Sequence, residues 1–393
     1  MESQQLVMDN SVVVHILTLS LVLVLSPHLS RLVRLPTAPI EIIMGSLLAF
    51  WGIIEVKNDD FTLIAEVGFL YLMFLAGLEV NLKGIFKMPK SYIIQSLYFL
   101  LLLWSLALIL GLSFHLHPIL IVVLPLISIG LLATLSKEYG KEVKWIKIAF
   151  LIGTIGEVLS IVALTISEAS TSVGFDSDLF YKVLLLLGFL GVVLALYTLF
   201  RILFWWYPEF KTTLMPSDDG KYQDLRLAMG LFFIMIAIMK QLHLELAFGA
   251  FIAGLFISTF FHHKKELEEK MSSFGFGFLV PIFFIHVGAS FDLKHIFFTD
   301  VLHTTAVLLG LMFLIRVLSS YSLFSIMSKR NALLTTFALF MPLTLMIAVA
   351  TVGLEKHMIG IFDYYAVILA SLIEVIVAMI SIKLLARGQS GDD

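Results

Sequence analysis

The sequence predicts an all-α polytopic membrane protein of about 13 transmembrane helices, built as two inverted repeats with broken crossover helices. Three observations carry this reading: an apolar composition, a series of apolar runs separated by charge, and a proline-plus-hydroxyl signature at the same place in each half. Of the 393 residues, 60% are hydrophobic and only 14% charged, where a soluble domain carries about 25% charged residues. That balance places the chain in the membrane class. A formal net charge of −3 gives no reason to expect a nucleic-acid partner. The absence of cysteine excludes disulfides, thiolate metal sites and cysteine catalysis.

The elements follow in order. Apolar runs bounded by charge fall at residues 12–27, 38–54, 61–78, 91–112, 118–135, 145–167, 179–206, 224–241, 245–261, 276–290, 301–327, 333–353 and 364–385. Residues 1–10 are polar and carry Glu2 and Asp9, whereas a cleaved signal peptide opens on Lys or Arg. With the N-terminus outside, 20 of the 26 Lys and Arg residues fall in cytoplasmic segments and 5 in outer ones. The remaining basic residue, Arg316, lies inside a run, away from its ends. Because Lys and Arg are retained on the cytoplasmic side, this bias predicts an N-out, C-in topology, and a missed span would reverse every later loop.

Runs one to six pair with runs eight to thirteen across run seven. One set enters from outside and the other from inside, so the halves are expected as inverted repeats. Their predicted bounds are 1–180 and 224–393, joined by a linker helix and cytoplasmic loop over 181–223. The longest polar stretch, 208–222, contains Pro216-Ser-Asp-Asp-Gly220 and marks the seam. The fifth run of one half reads Leu124-Pro-Leu-Ile-Ser128, and that of the other reads Met341-Pro-Leu-Thr344. Proline removes a donor and frees a carbonyl, so both are expected as broken helices, the strongest sequence pointer to a transport site.

An ionisable side chain costs at least about 2.5 kcal/mol at mid-bilayer, so each one found there is a functional candidate. Glu157 lies midway along the sixth run, in Gly153-Thr-Ile-Gly-Glu-Val-Leu-Ser160. Thr154 and Ser160 share its face, and Gly153 and Gly156 admit a close neighbour. A deprotonated carboxylate is a hard oxygen ligand for an alkali cation, so proton and cation can compete for it. Arg316, in the eleventh run, stays charged and needs a carboxylate or carbonyl partner. Two roles are open to it: counter-charge to Glu157, or anchor for the ends of the broken helices. Glu374, in the thirteenth run, is open to three: second cation ligand, Arg316 partner or cavity-facing polar group. His286 is open to two: a pH-sensing group or, the favoured reading, a neutral, hydrogen-bonded histidine. Glu41 and Glu66 are expected to be structural, and His262 and His263 solvated. No Walker A loop, HExxH motif or Gly-rich dinucleotide loop occurs, so neither an enzyme nor a cofactor is expected.

Several motifs together resemble the monovalent cation/proton antiporter family, in the branch of bacterial sodium/proton and potassium efflux antiporters. They are Pro39-Ile-Glu-Ile-Ile-Met-Gly45, Glu66-Val-Gly68 with Phe74-Leu-Ala-Gly-Leu-Glu79, Phe248-Gly-Ala-Phe-Ile-Ala-Gly254, and Pro281-Ile-Phe-Phe284 with Gly288. They occur in the family's order and cover its membrane domain only. The resemblance implies a thirteen-helix inverted-repeat fold, a homodimer, a bacterial inner-membrane location, and a core moving like an elevator against a dimerisation domain. It implies Glu157 as the ion-binding carboxylate, Arg316 at the family's basic position and Thr134 near its crossover threonine. There are departures. Gly156 supplies no second side chain before the carboxylate, the carboxylate is Glu rather than the usual Asp, and Met341-Pro342-Leu343-Thr344 stands where the branch often has Gly-Glu. The function expected is exchange of Na⁺ or K⁺ for protons, with Glu157, Thr134 and Ser160 binding the ions in the surrounding lipid. The alternative is a cation channel or leak on the same scaffold.

Overall fold

Each predicted run is helical, in one piece or two, in the computed structural model of the chain. The structure describes residues 2–33, 36–54, 59–80, 88–129, 131–140, 142–173, 177–207, 209, 222–242, 244, 246–261, 265–290 and 298–386, and no strand occurs among them. The first half holds α1 (Glu2–Val33), α2 (Thr37–Phe50), α3 (Asp59–Glu79), α4 (Lys90–Ser113), the short pair α5 (Pro118–Val123) and α6 (Leu132–Tyr139), and α7 (Lys144–Val173). Helix α8 (Ser177–Trp206) follows. The second half holds α9 (Gln223–Gln241), α10 (Leu246–Phe261), α11 (Lys265–Phe274), α12 (Val280–Ala289), α13 (Thr299–Ser319), α14 (Lys329–Ala338), α15 (Leu343–Glu355) and α16 (Ile361–Ala386). Among the described residues, seven helical stretches are long and apolar enough to cross a membrane alone, and the α14–α15 pair makes an eighth, bent by 42°. The chain is an integral, multi-pass membrane protein. Most of the predicted seam, residues 210–221, lies outside the described residues, as do His262 and His263.

Two boundaries move. The run at 276–290 is the end of a longer helical stretch, because charged α11 continues through a π-helical turn, Gly275–Leu279, into α12. The first run, at 12–27, lies inside the 32-residue α1. In both cases the helix extends into polar sequence, and an apolar run marks only part of it.

The helices sort into two packing sets. One contains α1, α2, α3, α9, α10, α11 and α12; the other contains α4 to α7 and α13 to α16. They meet chiefly where α7 passes α10, while α8 packs along α7 and stacks Tyr197 and Phe200 on Phe256 and Phe260 of α10. Each set draws on both halves of the chain. In the first, α2 packs on α12 and α3 on α10. Both pairs touch through reciprocal glycines. A Cβ on Gly45 would strike the Ile285 carbonyl, and one on Gly288 would strike that of Ile42. A Cβ on Gly77 would strike the Phe251 carbonyl, and one on Gly254 that of Phe74. Exchanging α2 for α10 and α3 for α12 converts one arrangement into the other, which is the internal symmetry of a duplicated, inverted half. Close backbone approach of this kind is how helices gain packing in lipid, where no hydrophobic force separates them from the surrounding tails.

Candidate ion-binding site

The second packing set is built around two breaks. Between α5 and α6 the helix stops at Pro125, and residues 126–129 have no regular structure. Between α14 and α15 it stops before Pro342. An unwound segment inside a membrane protein must have its backbone groups bonded by something else. At the first break the partners are side chains from two other helices. Ser160 of α7 accepts a hydrogen bond from the Ile127 N–H at 3.1 Å. Glu157, one turn earlier, accepts from the Ile129 N–H at 3.3 Å. Arg316 of α13 donates through Nη1 to the Leu124 carbonyl at 2.9 Å and through Nη2 to the Leu126 carbonyl at 2.6 Å.

Glycine makes the first two bonds possible. A Cβ at Gly156 would meet the Ile127 side chain, and one at Gly153 would meet those of Ile129 and Leu132. Without Cβ atoms there, α7 comes close enough for Glu157 and Ser160 to reach the break. The second break is held against the same helix, since Thr335 of α14 donates to the Trp145 carbonyl at 3.1 Å.

The breaks meet through two hydroxyls. Ser128 donates to Glu157 Oε1 at 3.2 Å and lies 3.0 Å from the Thr344 hydroxyl, where either oxygen can be the donor. Glu157, Ser128 and Thr344 thus form a polar chain from α7 through the first break to the start of α15. Glu157 and Ser160 have no exposed surface, and Ser128 and Thr344 are buried. Ser128 and Thr344 were in view in the sequence only as hydroxyls beside each proline. Nothing in the sequence marked them as mutual partners.

The other sequence candidates divide. Arg316 is buried, and its guanidinium lies 5.0 Å from the ring centre of Phe340 in the second break. Its ion-pair partner is Glu374 of α16, with Nη1 to Oε1 at 3.7 Å. Glu374 has no exposed surface. Thr134 lies on α6, but its side chain is outside the described residues. The remaining candidates sit in the other packing set. Glu41 is buried and accepts from Ser26 at 3.1 Å, His286 lies 3.4 Å from the Thr62 hydroxyl and edge-on to Phe61, and Glu66 is exposed.

Comparison with known proteins places the fold and the family. The solved structure of the sodium proton antiporter MjNhaP1 from Methanocaldococcus jannaschii superposes with a TM-score of 0.71, over 97% of this chain and 100% of that one, at 17% identity. YjbQ of Bacillus subtilis (strain 168) is 28% identical over 404 residues, which span 97% of this chain and 64% of YjbQ. The chain therefore covers somewhat under two thirds of that relative's length. A Na⁺/H⁺ antiporter of Enterococcus hirae is 22% identical over 91% of this chain and 93% of its own length. Residues 16–388 match the family described as sodium/hydrogen exchanger, transmembrane, so the chain belongs to that family of membrane transporters.

Proposed function

We propose that this protein is a secondary antiporter that exchanges a monovalent cation, Na⁺ or K⁺, for protons, with Glu157 holding proton and cation in turn. The observation that carries the reading is the polar chain of Glu157, Ser128 and Thr344 at the junction of two broken helices. When Glu157 is ionised and no cation is bound, the Ser128 hydroxyl and the Ile129 N–H stabilise its charge. A hydroxyl carries lone pairs as well as a proton, so Ser128 and Thr344 can rotate to present oxygen to a cation. Carboxylate, hydroxyl and carbonyl oxygens are hard ligands suited to alkali ions. Protonation of Glu157 removes the negative charge that makes cation binding favourable, so one ion excludes the other. The family and the antiporter relatives support this reading. The halves are proposed as residues 1–180 and 224–393 linked by 181–223, in a homodimer of N-out, C-in orientation in a bacterial inner membrane.

The test is exchange in proteoliposomes, with a pH dye inside and a pulse of NaCl or KCl outside. Wild-type protein is expected to move protons on cation addition. Glu157→Gln is expected to abolish that movement while eluting as folded protein on size exclusion. Undiminished exchange in Glu157→Gln, or cation conductance without proton counterflow, overturns the proposal.

A further inference from the structure

Glu374 has no exposed surface, and neither of its carboxylate oxygens has a hydrogen-bond partner among the described residues. Its charged neighbour is Arg316, at 3.7 Å, beyond the reach of a normal hydrogen bond. Arg316 directs its terminal nitrogens elsewhere, to the carbonyls of Leu124, Leu126 and its own-helix Met312, and its Nε meets no acceptor among the described residues. A guanidinium beside a carboxylate ordinarily forms two parallel bonds with it. Here the guanidinium is turned from the acid toward neutral carbonyls, an arrangement that suits a carboxyl carrying a proton. An ionised carboxylate left without donors in this interior is strongly unfavourable.

Helices α13, α14 and α15 pack against α16. Apart from Arg316, the titratable groups they bring lie toward helix ends: Asp300 and His303 on α13, Lys329 and Arg330 on α14, and Glu355 on α15. On α16 itself, Asp363, Tyr364 and Tyr365 are in the first turns and Lys383 in the last. Arg316 is the charged group that acts on Glu374.

We propose that Glu374 is a positioning residue for the cation site, acting through Arg316. A proton on Glu374 leaves Arg316 on the carbonyls of Leu124 and Leu126, and loss of that proton draws the guanidinium to Glu374 and frees those carbonyls. The proton departs to water on the open side of the site. The freed oxygens belong to the same break as Ser128 and become available to the cation. A buried carbonyl without a partner is unfavourable, so a cation that occupies the break favours the ionised form of Glu374. By reciprocity, ionised Glu374 favours the cation. This rests on the reading of Glu157 as the ion-binding carboxylate.

The experiment measures apparent affinity for Na⁺ and for K⁺, as chlorides against a choline chloride background, by cation-induced thermal stabilisation of purified protein across a range of pH. One competing proton makes apparent affinity rise about tenfold per pH unit, and two linked protons steepen this toward about a hundredfold. Wild-type protein is expected to exceed tenfold per unit. Glu374→Gln is expected to fall to about tenfold. Glu374→Asp, which keeps an ionisable group, is expected to retain the steeper dependence. A wild-type dependence of only tenfold per unit overturns the proposal, and so does an equal steepness in wild type and Glu374→Gln. A lower melting temperature in Glu374→Gln with unchanged steepness also overturns it, since that is the signature of a purely structural acid. If Glu374→Gln yields no folded protein, wild type and Glu374→Asp decide, because both must be steep. The Glu157→Gln control separates the two ideas: persistent cation stabilisation in that variant defeats the reading of Glu157, whereas unaltered steepness in Glu374→Gln defeats only the role of Glu374.

Discussion

Ser128 touches both Glu157 and Thr344, so its hydroxyl is the narrowest point of the polar chain. A hydrogen bond to a charged group is worth about 1.5–3 kcal/mol, so Ser128→Ala is expected to weaken cation binding at fixed pH about tenfold or more. Thr344→Val keeps the shape and leaves the Ser128–Glu157 bond in place, so a smaller loss is expected. Titrating exchange rate against cation concentration for both variants checks the order, and a larger loss in Thr344→Val contradicts it. Gly156 is a different case, because its role is to have no side chain. Gly156→Ala places a Cβ against the branched Ile127 side chain. Overpacking of this kind costs about 1–3 kcal/mol, and the displaced break carries the donors to Glu157 and Ser160. A lowered melting temperature together with weakened cation affinity is therefore expected. These residues show the limit of sequence reading at this scale. Glu157 and Arg316 stood out because an ionisable group inside an apolar run is costly. The contact between Ser128 and Thr344 did not, because serines and threonines are common in membrane helices and these two lie 216 positions apart. Arg316 had two open roles for a related reason: the sequence placed it at the right depth but could not orient its guanidinium toward carbonyls rather than Glu157.

At the scale of elements, the broken helices were legible because proline has a local consequence that needs no tertiary context. Pro125 and Pro342 lie where the helices stop. The glycine motifs were legible as motifs, but their reciprocal pairing was not, since periodicity does not reveal which helix a small residue faces. That pairing has an energetic consequence. Gly45 and Gly288 serve one crossing, α2 on α12, and Gly77 and Gly254 serve another, α3 on α10. In every case the group a Cβ would strike is backbone, which cannot rotate away. Alanine at any of the four is expected to lower the melting temperature. Residues that share a contact couple, and those at separate contacts add to within about 0.3–0.5 kcal/mol. The double variant Gly45→Ala/Gly288→Ala is therefore expected to lose less than the sum of its singles, and Gly45→Ala/Gly254→Ala to lose the sum. Denaturation of purified protein in one detergent checks both, and the reverse pattern contradicts the assignment of the pairs.

At the scale of the molecule, the proposed ion site lies wholly within one packing set, while the glycine-paired crossings lie within the other. Among the described residues, neither of the two proline breaks and no residue of the Glu157 chain belongs to the glycine-paired set. The contact between the sets is slight beside the contacts inside each, with α7 on α10 and α8 alongside both. Rigid units joined by a small interface are free to slide against one another, and a site carried inside one unit can then face either side of the membrane without being rebuilt. The chain contains no cysteine, so introduced pairs report without background. One pair, with a cysteine on α2 and another facing it on α12, tests a crossing expected to stay fixed. A second, with one on α7 and one facing it on α10, spans the interface expected to move. Oxidation of the second pair is expected to stop exchange, with recovery on reduction, while oxidation of the first leaves the rate unchanged. Loss of exchange in both, or in neither, contradicts motion of one set against the other. The second result would instead favour a site that opens by local movement of α5, α6, α14 and α15 around Pro125 and Pro342. That motion leaves the α7–α10 contact untouched, so a bridge there would not hinder it.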